Sequence, residues 1–136
     1  RPTDMADNFA YLDQVAARLD AEAGQGARIL VGFSQGSIIA ARWAAARERV
    51  WDAVILWGGA IPRDVDPRAL AKRSKSGCVE FVIGERDAFA TPERRLMMQK
   101  ALKAAGVPTK LRTFAGGHRL ADGMLAHLAL ALEGER

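Results

Sequence analysis

Ser34 stands in the run Gly32-Phe33-Ser34-Gln35-Gly36, a G-x-S-x-G pattern between a branched apolar segment and an Ala-rich one. Serine alone is a poor nucleophile; it attacks a carbonyl when a base takes its proton and an acid orients that base. Downstream the chain offers Asp87 in Gly84-Glu85-Arg86-Asp87 and His118 in Gly116-Gly117-His118. In these roles Ser34 is the nucleophile and His118 the base that later returns the proton. Asp87 holds the imidazole tautomer and stabilises the imidazolium. The Gln35 amide, at the start of the following helix, would face the negative charge developing on a carbonyl oxygen. Chance alone yields about 0.04 such runs in a chain of this composition, so placement after a strand matters more than the letters.

Each role has rivals. His127 is the other histidine, but its helical neighbours Met124 and Leu128 suit packing or surface exposure better than catalysis. Glu85 lies two residues from Asp87 and could serve as the acid, whereas Asp64 and Asp66 suit turn and capping roles. A glycine-rich turn that binds an anion at a helix terminus is the plainer reading of the serine run.

For these groups to meet, each must follow a strand of one sheet. Residues 27–33, 51–57, 78–83 and 110–114 are short apolar runs of strand type, the first read as buried on both faces. Between them lie helical patterns at 35–49 and about 92–105, with a shorter one near 66–73. A leading helix spans 3–23, capped by Thr3 or Asp4 and closed by Gly24, and a last one spans about 121–133. Thr91-Pro92-Glu93 supplies a cap, a first-turn proline and an early acid. Strands alternating with helices predict an α/β fold: a three-layer sandwich with a mostly parallel sheet and helices on both faces. Ligand chemistry in such sheets gathers beyond the carboxyl ends of the strands, where Ser34, Asp87 and His118 all fall. Trp57, Ile61, Phe89 and Leu120 stand in the same loops and are expected to line a substrate pocket. No charged side chain is obviously aimed there, so a neutral ester of small to medium size is expected.

Composition bounds the alternatives. A chain of 136 residues with 49% hydrophobic and 26% charged residues is a single domain's worth of ordinary globular sequence. No apolar run approaches the roughly 18 residues needed to span a bilayer. The net charge of +4 is spread over interleaved Arg, Asp and Glu without aromatic partners, which argues against nucleic-acid binding. The single cysteine, Cys78, precludes an internal disulfide and a Cys-rich metal site, and no metal is expected. Without a visible leader, a cytoplasmic location is the default expectation. The chain opens on Arg1-Pro2 rather than Met and is expected to be a fragment or processed product. Homo-oligomerisation is left open.

The three motifs, in the order Ser, Asp, His and each after a strand, resemble the α/β-hydrolase superfamily. Within it they are similar to the phospholipase/carboxylesterase group of small serine esterases. The resemblance covers nearly the whole chain from the first helix onward. It implies Ser34 as nucleophile, Asp87 as acid, His118 as base and the Gln35 amide in the oxyanion hole. It also implies hydrolysis of carboxylic esters or thioesters through an acyl-enzyme, without a cofactor. Ser37 stands where the family often has another glycine. Nothing before Ser34 matches the family's glycine-rich loop, which carries the second oxyanion donor, so the chain looks like the C-terminal portion of such a fold. On that reading the strand at 27–33 has an open edge with unpaired amides. The competing class is a non-catalytic or truncated α/β module that binds a partner or small ligand through the same cleft.

Overall fold

The computed structural model describes residues 2–24, 26–124 and 126. Its elements are α1 (Pro2–Ala23), β1 (Ile29–Phe33), α2 (Gly36–Ala46), β2 (Ala53–Trp57), α3 (Pro67–Ala71), β3 (Val79–Gly84), α4 (Pro92–Ala104) and β4 (Thr109–Phe114). The strands form one parallel sheet in the order β1-β2-β3-β4, with Phe33 beside Trp57, Trp57 beside Val82, and Gly84 beside Phe114. Their carboxyl ends therefore finish level, and the loops that follow them share one edge.

Local chemistry sets the boundaries. Asp66 accepts from the Arg68 amide and Pro67 opens α3; Thr91 accepts from the Arg94 amide and Pro92 opens α4. Gly24 and Gly106, at φ +60° and +74°, end α1 and α4 in the left-handed region. Helix α1 begins at Pro2, so Asp4 lies inside its first turn rather than capping it.

The two faces of the sheet are packed differently. On one, Val54, Leu56, Val79 and Phe81 meet Ala16 of α1, Trp43 of α2, Leu70 of α3 and Leu102 of α4. On the other, Ala53, Ile55, Trp57 and Val82 are covered by Phe33, Phe114, Ala121 and Met124. The helix expected over 121–133 lies largely outside the described residues. Strands β2 and β3 are buried along their whole length, as continuous apolar runs in a covered parallel sheet should be.

Strand β1 is an edge strand, in keeping with the open edge expected at 27–33, but it is not buried on both faces as its apolar run suggested: Val31 keeps 39% of its surface exposed. The side without a neighbouring strand explains why an equally apolar run is only half covered here.

Helix α1 is fixed to α2 by polar contacts. Asp13 accepts from the indole of Trp43 at 2.8 Å and from the Arg47 guanidinium at 3.0 Å. The Arg47 bond, aided by that from Trp43, holds the Asp13 carboxyl below the ordinary value of 3.8. Among the described residues no helix is long and apolar enough to cross a membrane.

Candidate active site

At the end of β1 the chain turns sharply. Ser34 has φ +55°, the single positive φ among described non-glycine residues, and its amide extends the parallel ladder by donating to the Trp57 carbonyl at 2.9 Å. The turn demands close approach of strand and helix. A β carbon on Gly32 would lie 2.6 Å from the Ser37 Cα and 2.8 Å from the Gly36 carbonyl oxygen. Gly36 is different, because a β carbon there meets nothing within 4 Å among the described residues. The need for a residue without a side chain falls on Gly32, and on Gly59 across the cleft, where a β carbon would come within 1.9 Å of the Ser37 hydroxyl.

Asp87 and His118 are brought to the same edge by stapled loops. Glu85 donates to the Phe114 carbonyl at 2.9 Å and Arg86 to the Gly116 carbonyl at 2.8 Å, tying the loop after β3 to the loop after β4. A β carbon on Gly84 would sit 2.3 Å from the Gly117 carbonyl oxygen, so this approach needs glycine.

The result is a continuous chain of hydrogen bonds. His118 Nε2 lies 2.8 Å from Ser34 Oγ, and His118 Nδ1 lies 2.8 Å from Asp87 Oδ2. The other oxygen of Asp87 accepts from the Phe89 amide at 2.8 Å, which fixes the carboxylate plane. Asp87 is only 4% exposed. The imidazole is held between two rings, stacked on Phe33 at 5.1 Å and tilted against Phe89 at 4.8 Å. Such a chain can move a proton from the serine hydroxyl to Nε2 while the buried carboxylate faces the charge that appears on the ring.

The rivals are placed elsewhere. Glu85 is exposed, Asp64 pairs with Arg42 at 2.9 Å, and Asp66 caps α3. His127 lies outside the described residues. Among the described residues no group of three or more His, Cys, Asp or Glu side chains is arranged to hold a metal.

Ser34 and His118 open into a cleft of about 600 Å³ that is also lined by Phe33, Gln35, Ile38, Gly58, Gly59, Ala60 and Phe89. A second cavity of about 280 Å³ shares Gly58, Gly59, Ala60 and Phe89 with it and continues to Ile83, Ala90, Arg94, Arg95 and Met98. Of the four residues expected to line a pocket, Phe89 does so. Trp57 does not: its side chain is buried beneath the site, packs on Phe114 at 5.7 Å and donates to the Arg119 carbonyl at 2.9 Å. Ile61 lines a separate cavity with Pro62, Val65 and Leu102, and Leu120 is exposed beyond the walls of both clefts. The expectation of a site without charged walls also fails, because the first turns of α4 put Arg94 and Arg95 into the second cavity. Gly58 and Gly59 line both cavities, and a glycine pair directly after a buried strand is the signal for such close backbone approach.

The fold has clear relatives among solved structures. Esterase PE8 is 27% identical with a TM-score of 0.62, over 96% of this chain and 61% of that one. The Bacillus cereus carboxylesterase matches at 16% identity and TM-score 0.63, over 98% of this chain and 63% of that one. Acyl-protein thioesterase 2 of Zea mays matches at 18% identity and TM-score 0.63, over 96% and 65%. This chain therefore spans less than two thirds of the length of each. No curated protein sequence matches it significantly. The profile of the dienelactone hydrolase family matches residues 5–121, a span that includes the serine elbow, the Asp87 loop and His118. The four parallel strands, their helices and that match identify the chain as a member of the dienelactone hydrolase family, within the α/β-hydrolase fold.

Proposed function

We propose that this protein is a serine hydrolase that cleaves carboxylic esters or thioesters through a covalent acyl-enzyme. The observation that carries the reading is the unbroken path from Ser34 Oγ through both nitrogens of His118 to the buried Asp87. Fold-level likeness to esterases and an acyl-protein thioesterase supports the substrate class by analogy.

In the first half-reaction Ser34 Oγ adds to the substrate carbonyl carbon as its proton passes to His118 Nε2. The carbonyl oxygen becomes an oxyanion facing the Gln35 amide at the start of α2. Collapse breaks the bond to the alcohol or thiol, which leaves with the proton from His118. Water then repeats the sequence: His118 takes its proton, the oxygen adds to the acyl carbon, and Ser34 Oγ leaves reprotonated. Asp87 keeps Nδ1 protonated throughout and faces the imidazolium in both halves. Phe89 offers an apolar wall to the group lodged against it, and Arg94 and Arg95 favour esters that carry an anionic group on the part entering the second cavity.

The test needs no choice of ester. Labelling with a fluorophosphonate probe, read by intact mass and peptide mapping, should place one label on Ser34. The label should vanish in Ser34→Ala and fall steeply in His118→Ala. A folded protein that takes no label would transfer support to a binding module with the same cleft.

A further inference from the structure

The Ser37 side chain is fully buried, directly under the elbow. Its hydroxyl donates to the Ser34 carbonyl oxygen at 2.5 Å, and its amide donates to the same oxygen at 3.1 Å. That carbonyl and the Gln35 N–H belong to one peptide unit, which is planar and trans, so the two groups point in opposite directions from a rigid plate. Fixing the oxygen fixes the direction of the N–H. The Gln35 N–H donates to no backbone acceptor among the described residues.

We propose that the Ser37 hydroxyl is a positioning residue for the oxyanion hole: it orients and polarises the Ser34–Gln35 peptide so that the Gln35 amide is a stronger, better-aimed donor. This rests on the serine-hydrolase reading above. Two donors on one carbonyl draw electron density toward its oxygen and leave the amide hydrogen of the same unit more positive, the cooperative strengthening seen in chains of hydrogen bonds. The space is made for this contact and for little else. Gly59 in the loop after β2 leaves room for the hydroxyl, and a β carbon there would lie 1.9 Å from it and 3.0 Å from the Ser34 carbonyl oxygen. Ser37 thus couples the loop after β2 to the peptide that receives the oxyanion. A glycine at this position would keep the amide bond to the carbonyl and lose the hydroxyl bond.

The effect belongs to the transition state, because the negative charge that the amide meets is small in the bound ester and full in the tetrahedral intermediate. Ser37→Ala should therefore lower kcat about 10-fold with KM within about 2-fold, a fraction of what losing a whole oxyanion donor costs. Binding of a trifluoromethyl ketone should weaken by the same factor. In that adduct Ser34 Oγ bonds to the ketone carbon, the serine proton moves to His118 and the ketone oxygen becomes the anion, so it probes the same amide. Inhibition by acetamide, a neutral carbonyl ligand that forms no oxyanion, should change by no more than about 2-fold. An unchanged kcat, or a rise in KM with the ketone affinity intact, would overturn the proposal.

If Ser37→Ala does not fold, Ser37→Gly removes the same hydroxyl, keeps the amide bond to the Ser34 carbonyl and should show a loss of the same kind. The Gln35 amide proton, followed by nuclear magnetic resonance, should move upfield in either variant, and no movement counts against polarisation. That last measurement needs no turnover. A wild-type protein that neither labels nor hydrolyses would refute the hydrolase reading, while the amide shift would still decide whether the hydroxyl acts on the peptide.

Discussion

The ring of His118 rests on the backbone of Gly58: a β carbon at Gly58 would lie 3.1 Å from both Nδ1 and Cε1 and 3.5 Å from Asp87 Oδ2. Gly58 also sits at φ +63°, where a side chain costs about 1–2 kcal/mol. Gly58→Ala should thus do two separable things. Denaturant unfolding should show a loss of that size, and turnover of a 4-nitrophenyl ester should fall on the order of 100-fold, because the imidazole is pushed from line. Activity retained with only the stability loss would mean that the ring relaxes without cost.

Trp57 acts on the same loop from below. Its indole N–H donates to the Arg119 carbonyl, one residue beyond His118. Trp57→Phe keeps most of the apolar volume and deletes the donor, leaving a carbonyl in a partly buried place without its partner. A stability loss of about 1–2 kcal/mol is expected in thermal or chemical unfolding. The fluorophosphonate labelling rate of Ser34 should fall as well, since His118 is carried by the loosened loop; a normal rate would show that the Glu85–Phe114 and Arg86–Gly116 bonds hold the loop alone.

Much of this was legible in the residues. Thr91-Pro92 and Asp66-Pro67 announce helix starts by chemistry that is local, and the apolar runs 53–57 and 79–84 announce covered strands for the same reason. The elbow and its partners were legible because each follows a strand, and parallel strands end at one edge. What failed depends on direction across the sheet. Trp57 is the last residue of β2 and its side chain follows Ile55 into the cluster with Val82 and Phe114, where the indole donates to the Arg119 carbonyl, a matter of period-two register and packing that position in a loop list does not reveal. Arg95 reaches the cavity because of how α4 is rotated against the sheet, which is set by Leu102 and Met98 in the core. Gly59 and Ser37 meet through tertiary approach of the loop after β2 to the first turn of α2, and no spacing in the chain encodes that contact.

Arg95 offers a test of the cavity wall. The residue lines the second cavity, which shares Gly58, Gly59, Ala60 and Phe89 with the Ser34 cleft. A substrate anion lodged there would pair with the guanidinium through a charge-assisted bond. Arg95→Gln should raise KM for the mono-4-nitrophenyl ester of glutaric acid about 10-fold more than for 4-nitrophenyl pentanoate, which has the same chain length and no charge. Equal effects on both esters would assign Arg95 to packing and not to recognition.

The attachment of α1 to α2 sets an acid limit on the scaffold that holds Gln35. Asp13 is bonded to Arg47 and Trp43, and its carboxyl titrates below 3.8 when folded. Asp20, bonded to Arg49 and Arg28, is shifted in the same direction. A carboxyl whose pKa is lower in the folded state binds its proton more readily when unfolded, so it adds stability above the unfolded value and loses it as pH falls. Asp13→Asn should accordingly be less stable than wild type at neutral pH. The gap should stay constant down to about pH 5 and close as pH drops through 3.8 toward the folded value. Urea unfolding of both proteins at a series of pH values reads this directly. A gap that persists unchanged at pH 2 would show that the asparagine harms packing and that the Arg47 pair contributes nothing through charge.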